Sequence, residues 1–256
     1  MNMHETRRNV IVHYHLFKNA GTSVDKLLKH CFKEQWYSYD KQEPGGRIPT
    51  VELEQILETR PDILAISSHQ IRPPFPTNVT AFPIIFLRHP IVRARSAYLF
   101  EWKKFLGLAT PKGSFAEYVD HKLSLYRANA IENFQTFVLS NDLRDTFRGH
   151  TSDDDSHYLM RAKQRLDALP VFGIVEEYAE SIRRFHAWLH PVFDAFENLT
   201  FHENVLHEEP LSIASHLERI EQELGSGRYA ALLDRNAMDM ELYEYARTRF
   251  TEAGTL

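Results

Sequence analysis

The sequence predicts an α/β fold: a parallel sheet flanked by helices, with a helix-rich C-terminal half, in a single domain spanning residues 1–256. Two observations predict it. Short, nearly continuous apolar runs alternate with stretches of helical periodicity, the pattern of strands covered on both faces. Three of those runs end in polar clusters, Lys18 to Ser23, Ser67 to Gln70 and Arg88 to His89, where open α/β sheets hold their ligands.

The elements follow in chain order. Val10 to Leu16 reads as a buried strand. Val24, Leu27, Leu28, Cys31 and Phe32 form one apolar face, which predicts a helix from Thr22 to Phe32. Residues 39–50 hold proline and two glycines and read as a loop, and Val51 to Glu58 as a short helix. "DILAISS" (62–68) is a second strand, 71–80 is too rich in proline for regular structure, and "FPIIFL" (82–87) is a third strand. Pro90 suits the first position of a helix running to about Phe105. "GLATPKGS" interrupts, and helices are expected near 114–124, 128–140 and 157–168. A fourth strand, "VFGIV" (171–175), precedes helices near 178–189, 211–224, 227–235 and 238–250, with a short strand around 199–202. The acidic run Asp153 to Asp155 reads as a solvated loop.

Composition narrows the function classes. Hydrophobic residues make up 43% of the chain, enough for a sizeable core. No apolar run reaches the ~18 residues of a membrane span. The opening "MNMHETRRNV" lacks the apolar stretch of a signal peptide, so a cytoplasmic protein is expected. A single cysteine, Cys31, excludes an internal disulfide framework. The net charge of −5 is uneven: residues 1–150 carry 20 basic and 15 acidic side chains, residues 151–256 carry 10 and 20. That balance argues against nucleic acid and for a small anionic ligand held by the first half.

The first polar cluster lies in "HYHLFKNAGTSVDKLL" (13–28). A strand leads in and a helix follows, so free backbone N–H groups and the positive end of the helix dipole face the loop. Gly21 admits a close ligand, Thr22 and Ser23 supply hydroxyls, and Lys18 supplies charge. The usual phosphate-loop order is broken, since Lys18 precedes Gly21. A capped helix beside a solvated lysine would read the same way in isolation. The second cluster points further. Arg88 ends a strand where a metal-using nucleotide hydrolase commonly has an acidic residue, and a guanidinium there favours a second anionic group over a metal. No His/Cys/Asp group has ligand spacing along the chain, so no metal is expected.

"KNAGTS" followed some 65 residues later by "LRHPIVRARSAYLF" resembles the sulfotransferases that use 3′-phosphoadenosine 5′-phosphosulfate (PAPS), most closely the branch containing the heparan sulfate 2-O-sulfotransferases and their bacterial relatives. "ENFQTFVLS" (132–140), "FGIVEEYAESIRRF" (172–185) and "LYEYARTRF" (242–250) look like later blocks of that family. The resemblance implies a P-loop-like fold. It implies that Lys18, Gly21, Thr22 and Ser23, with Asn19 and Ala20 between them, hold the 5′-phosphosulfate, and that Arg88 and Ser96 hold the ribose 3′-phosphate. Phe17, Asn19 and His89 depart from the usual proline, threonine or serine, and aspartate.

The expected activity is transfer of a sulfuryl group from PAPS to a hydroxyl of a saccharide or small metabolite, leaving adenosine 3′,5′-bisphosphate. Lys18 would stabilise the departing phosphate. His69, after the second strand, is the candidate base, matching a histidine assigned that role in heparan sulfate relatives; His89 is the alternate, and packing suits His13 and His15 better. Arg72, Lys103, Lys104, Tyr126 and Arg127 are candidate acceptor contacts, and Glu176 and Glu177 suit fold or substrate-lip roles. A P-loop nucleotide kinase and a non-catalytic nucleotide-binding protein are the alternatives. Oligomeric state stays open.

Overall fold

A computed structural model describes residues 7–43, 46–125, 130–141, 155–201 and 212–253. It shows a mixed α/β protein with a parallel sheet flanked by helices. Strand β1 (Asn9–Tyr14) lies at the centre, and Val10, Ile11 and Val12 are fully buried. It is followed by α1 (Gly21–Phe32), β2 (Trp36–Ser38), α2 (Thr50–Thr59), β3 (Ala65–Ser68), β4 (Thr80–Ile84) and β5 (Phe86–Leu87). The strands stand in the order β2-β3-β1-β4, all parallel, with Val12 opposite Ile66 on one side and Pro83 on the other. After Ile85 the same extended stretch changes neighbour, and β5 pairs in parallel with β6 (Gly173–Ile174).

The remaining elements are helical: α3 (Pro90–Leu99), a π-helical turn over Phe100–Lys104, α4 (Phe115–Leu123), α5 (Phe134–Ser140), α6 (Asp155–Asp167), α7 (Tyr178–Leu189), α8 (Ile213–Leu224), α9 (Ser226–Asp234) and α10 (Ala237–Glu252). Alternation along β1 sorts the cores. Val10, Val12 and Tyr14 pack with residues of α2, α6 and α10; Ile11 packs with α1 and α7 on the opposite face. A third apolar cluster joins α3, α4, α8 and α9.

Several expectations need correcting. The strand expected over 62–68 begins only at Ala65, and the one over 82–87 begins at Thr80 and is divided at Ile85. The fourth strand shrinks to Gly173–Ile174, because Val175–Glu177 turns into a 3₁₀ helix leading to α7. β2 was not expected: three residues carry no readable alternation, and its pairing with β3 decides it. The helix from Pro90 is α-helical only to Leu99, and residues 130–133 are turn and bend before α5. Residues 199–201 form no strand, and Asp155 opens α6; residues 128–129, 153–154 and 202 lie outside the described part.

The start of α5 is locked to the start of α10. Fully buried Asp239 accepts from the backbone N–H of Gln135 (3.1 Å) and of Thr136 (2.7 Å), while Asn133 Oδ1 accepts from the Asp239 N–H (3.0 Å). One carboxylate thus satisfies two of the donors that a helix start leaves open. Asp239→Ala strands both donors in the interior and should lower stability by about 3 kcal/mol, seen as a lower midpoint in urea unfolding; an unchanged midpoint would show that water reaches those groups.

Candidate functional site

The loops after β1 and β5 lie side by side at the strands' carboxyl ends, where open α/β sheets hold their ligands. Two of the three polar clusters that the sequence singled out meet there.

The first loop runs from Phe17 to Ala20 into α1. Lys18 (φ 65) and Ala20 (φ 61) both hold left-handed backbone, a conformation costing roughly 1–2 kcal/mol per non-glycine residue. The loop is held there from below: the Asn19 side chain is buried and donates to the Phe86 carbonyl and to Gln135 Oε1, each at 2.7 Å. Asn19 is therefore a brace whose side-chain amide faces the protein. Ala20 caps α1 without a side-chain hydrogen bond, and no acidic residue stands in the first turn. Thr22 is exposed, and Ser23 is buried and hydrogen-bonded to Tyr178, whose phenol burial pushes upward. The Lys18 ammonium lies 4.9 Å from the Phe100 ring centre. Burial, then the charges of Arg88 and Lys104, lower its pKa to about 8.

Arg88 stands against the Lys18 loop. Its Nη1 donates to the Lys18 carbonyl (3.0 Å), and its Nε is buried without a hydrogen-bond partner. Burial lowers its pKa against the favourable charge of Glu176. Glu176 is itself engaged, accepting from the His89 N–H at the start of α3 (3.0 Å) and from the Tyr243 hydroxyl (2.9 Å). That gives Glu176 the fold role expected of it. Ser96 lies farther along α3, partly exposed. His89 is buried against the edge of Tyr243, and burial, then Arg247 and Arg88, lower its pKa to about 4.

The third cluster carries His69, whose side chain is 49% exposed. Asp40 fixes it twice: Nδ1 lies 2.8 Å from Oδ2, and the backbone N–H donates to Oδ1 at 2.9 Å. Burial raises the Asp40 pKa, but hydrogen bonds from His69 and Ser68 outweigh it and the net shift is downward. With Asp40 ionised, Nδ1 carries the proton and Nε2 presents its lone pair. The ring stacks on His15 at 3.7 Å, and His15 stacks in turn on His13 at 5.3 Å. Asp25 bridges the inner pair, 2.8 Å from each Nδ1. Burial lowers the His15 pKa to about 4, and the two imidazole hydrogen bonds hold Asp25 far below the usual carboxylate range despite burial.

This histidine stack is what sequence reasoning missed. His13, His15 and Asp25 bring donor atoms within 4.8 Å of one another, a grouping that spacing along the chain did not suggest. The signal was present as His-x-His at the end of β1, His13 on the strand and His15 just past it, a spacing that puts both rings on one face. The 2.8 Å contacts are those of N–H to carboxylate hydrogen bonds.

The acceptor candidates separate. Arg72 Nη1 donates to the carbonyls of His69 (2.7 Å) and Ile71 (2.9 Å), so it buttresses the histidine. Lys103 and Lys104 lie on the π-helical turn, Lys104 within electrostatic reach of Lys18. Tyr126 and Arg127 lie outside the described residues. Among the described residues no helix is long and apolar enough to cross a membrane.

No protein-family model matches the chain. It is similar to a protein of Archaeoglobus fulgidus, described as uncharacterized, with 28% identity over 249 residues that cover 93% of this chain and 95% of the relative.

Two measurements check the geometry. A Cβ on Gly21 would lie 2.0 Å from His15 Cδ2. Gly21→Ala must therefore push the histidine stack aside and should cost about 1–3 kcal/mol in thermal unfolding; parent-like stability would mean that the stack yields freely. His15 and His89 both titrate near 4 when folded, below the ordinary 6.5, so the stabilisation from their neutral rings is complete above pH 6.5 and is lost as pH falls through about 4. Urea unfolding followed from about pH 7 to about pH 4.5 should show falling stability with proton uptake on unfolding, and His89→Gln should flatten the slope.

Proposed function

We propose that the chain is a PAPS-dependent sulfotransferase, built on a P-loop-like sheet, that transfers a sulfuryl group to the hydroxyl of a saccharide or small metabolite. The observation that carries this reading is a pair of cationic stations, Lys18 in the loop before α1 and Arg88 at the end of β5, near an imidazole that is oriented by Asp40 and stacked on the His15 ring against Gly21. Two stations match a nucleotide bearing separate 5′ and 3′ phosphates. The donor fits on structural grounds: the Arg88 Nε is buried without a partner, and α1 begins without a side-chain cap.

PAPS supplies an activated sulfuryl group joined through oxygen to a good phosphate leaving group. Lys18 meets charge developing on that phosphate oxygen as the sulfur–oxygen bond breaks, and its surroundings of Phe17 and Phe100 limit screening by water. His69 Nε2 takes the proton of the attacking hydroxyl, and Asp40 stabilises the imidazolium that forms. Asp25, Asp40, Glu176 and Asp239 are each occupied by hydrogen bonds, which supports transfer without a divalent metal. Arg88 at the strand end likewise weighs against a kinase.

Calorimetry should show adenosine 3′,5′-bisphosphate binding far better than AMP, and Arg88→Ala should lose most of that preference, roughly 1.5–3 kcal/mol; equal affinities in the parent would sink the assignment. His69→Ala should bind the bisphosphate normally while turnover drops roughly 10²–10⁴-fold. Because Lys18 loses its proton near 8, kcat/KM should fall as pH rises through about 8, a limb that Lys18→Arg would move upward. Activity should survive excess EDTA.

A further inference from the structure

We propose that His13, His15 and Asp25 form a binding site for a divalent transition-metal ion of the zinc class. The site goes beyond the sulfuryl-transfer reading and does not depend on it. Its three side chains come from neighbouring pieces of chain. Ile11 packs against α1, and His13, two residues on along β1, points the same way. His15 lies just past the strand. Gly21 and Asp25 stand about one turn apart on α1. The glycine leaves room for the His15 ring, and the carboxylate meets both imidazoles.

Each side chain offers one ligand atom, and the three lie within 4.8 Å of one another. Asp25 Oδ1 is 2.8 Å from His13 Nδ1, and Oδ2 is 2.8 Å from His15 Nδ1. Around a tetrahedral zinc ion, neighbouring nitrogen and oxygen ligands stand roughly 3.4 Å apart and two imidazole ring centres roughly 5 Å apart. The His13 and His15 ring centres are 5.3 Å apart, so an ion enters once each nitrogen and oxygen separate by about 0.6 Å. A neutral imidazole that donates Nδ1–H to Asp25 then carries its proton on Nε2, and its Nδ1 lone pair binds the ion. Ser67 Oγ, 3.2 Å from His13 Nδ1, accepts from Trp36 Nε1 at 2.9 Å and braces the first ring. Both rings are buried, while the Asp25 side chain is 19% exposed and gives an ion its way in.

Two imidazole nitrogens with one carboxylate suit zinc, cobalt or nickel, whereas magnesium and calcium take oxygen ligands. Three protein ligands leave a fourth position for water. His69 stacks on His15 at 3.7 Å, but Asp40 holds it through contacts of its own. Filling the site therefore draws on neither Lys18 nor His69, in keeping with activity that survives EDTA.

The test uses the full chain, stripped with EDTA and desalted, then titrated with Co²⁺, Zn²⁺ and Mg²⁺. Expected is saturable binding of Co²⁺ with the intense visible bands of a four-coordinate ion, displacement by Zn²⁺, and half-saturation by Zn²⁺ at or below about 1 μM. Mg²⁺ should not displace cobalt. Asp25→Asn should weaken Zn²⁺ binding more than about 100-fold, beyond what the loss of a supporting contact costs. The double variant His186→Gln, His190→Gln removes another close imidazole pair, stacked at 4.7 Å on α7, and should keep the parent's affinity. If circular dichroism shows that Asp25→Asn does not fold, anomalous scattering at the zinc edge from crystals of the parent decides, with a peak expected between His13, His15 and Asp25. The proposal is overturned by a parent without saturable binding, by displacement of cobalt with Mg²⁺, or by a folded Asp25→Asn that keeps the parent's affinity. Loss of binding in the α7 variant, or an anomalous peak elsewhere alone, overturns it as well.

Discussion

The side-chain amide of Gln135 is the constraint on which the candidate site depends. Almost wholly buried, its oxygen accepts from Asn19 (2.7 Å) and from the Arg88 backbone N–H (2.9 Å), and its nitrogen donates to the Arg88 carbonyl (2.9 Å). It therefore couples the loop after β1 to the end of β5, the two stations proposed to hold phosphates. Asp239 holds Gln135 in turn through its backbone N–H, so helices α5 and α10 become part of the support. An amide suits this place because it offers donor and acceptor together without a charge to desolvate.

A network like this explains how strained backbone persists. Lys18 and Ala20 occupy left-handed conformations that neither side chain favours. The Asn19 amide between them is anchored to β5 and α5, and the Lys18 carbonyl receives Arg88 Nη1. The loop is over-determined from beneath. The lysine ends among aromatic rings and other cations, and its lowered pKa follows from that placement.

Polar pairing has a second layer in the histidines. Asp25 orients His13 and His15, His15 supports the His69 ring, and Asp40 sets the tautomer of His69. Gly21 is where the two layers meet, since any side chain there would collide with His15. Glycine here is required by packing inside the protein.

Much of this was legible in the sequence. Apolar runs located β1, β3 and β4–β5, and helical periodicity located α1, α3 and α7, because each buries a face whose period is local. The strand-end clusters of Lys18, His69 and Arg88 were legible for the same reason: a loop that leaves a strand inherits its place from that strand. What only the tertiary structure decided was partnership across the chain. Glu176 at the head of α3, Asp239 at the head of α5, Gln135 between two loops and Asp40 beneath His69 are joined over separations of 29 to 116 residues. No period or propensity encodes such a pair. A buried carboxylate or amide is placed by whichever orphan donor the packing brings to it, and that donor exists only once the helices have docked.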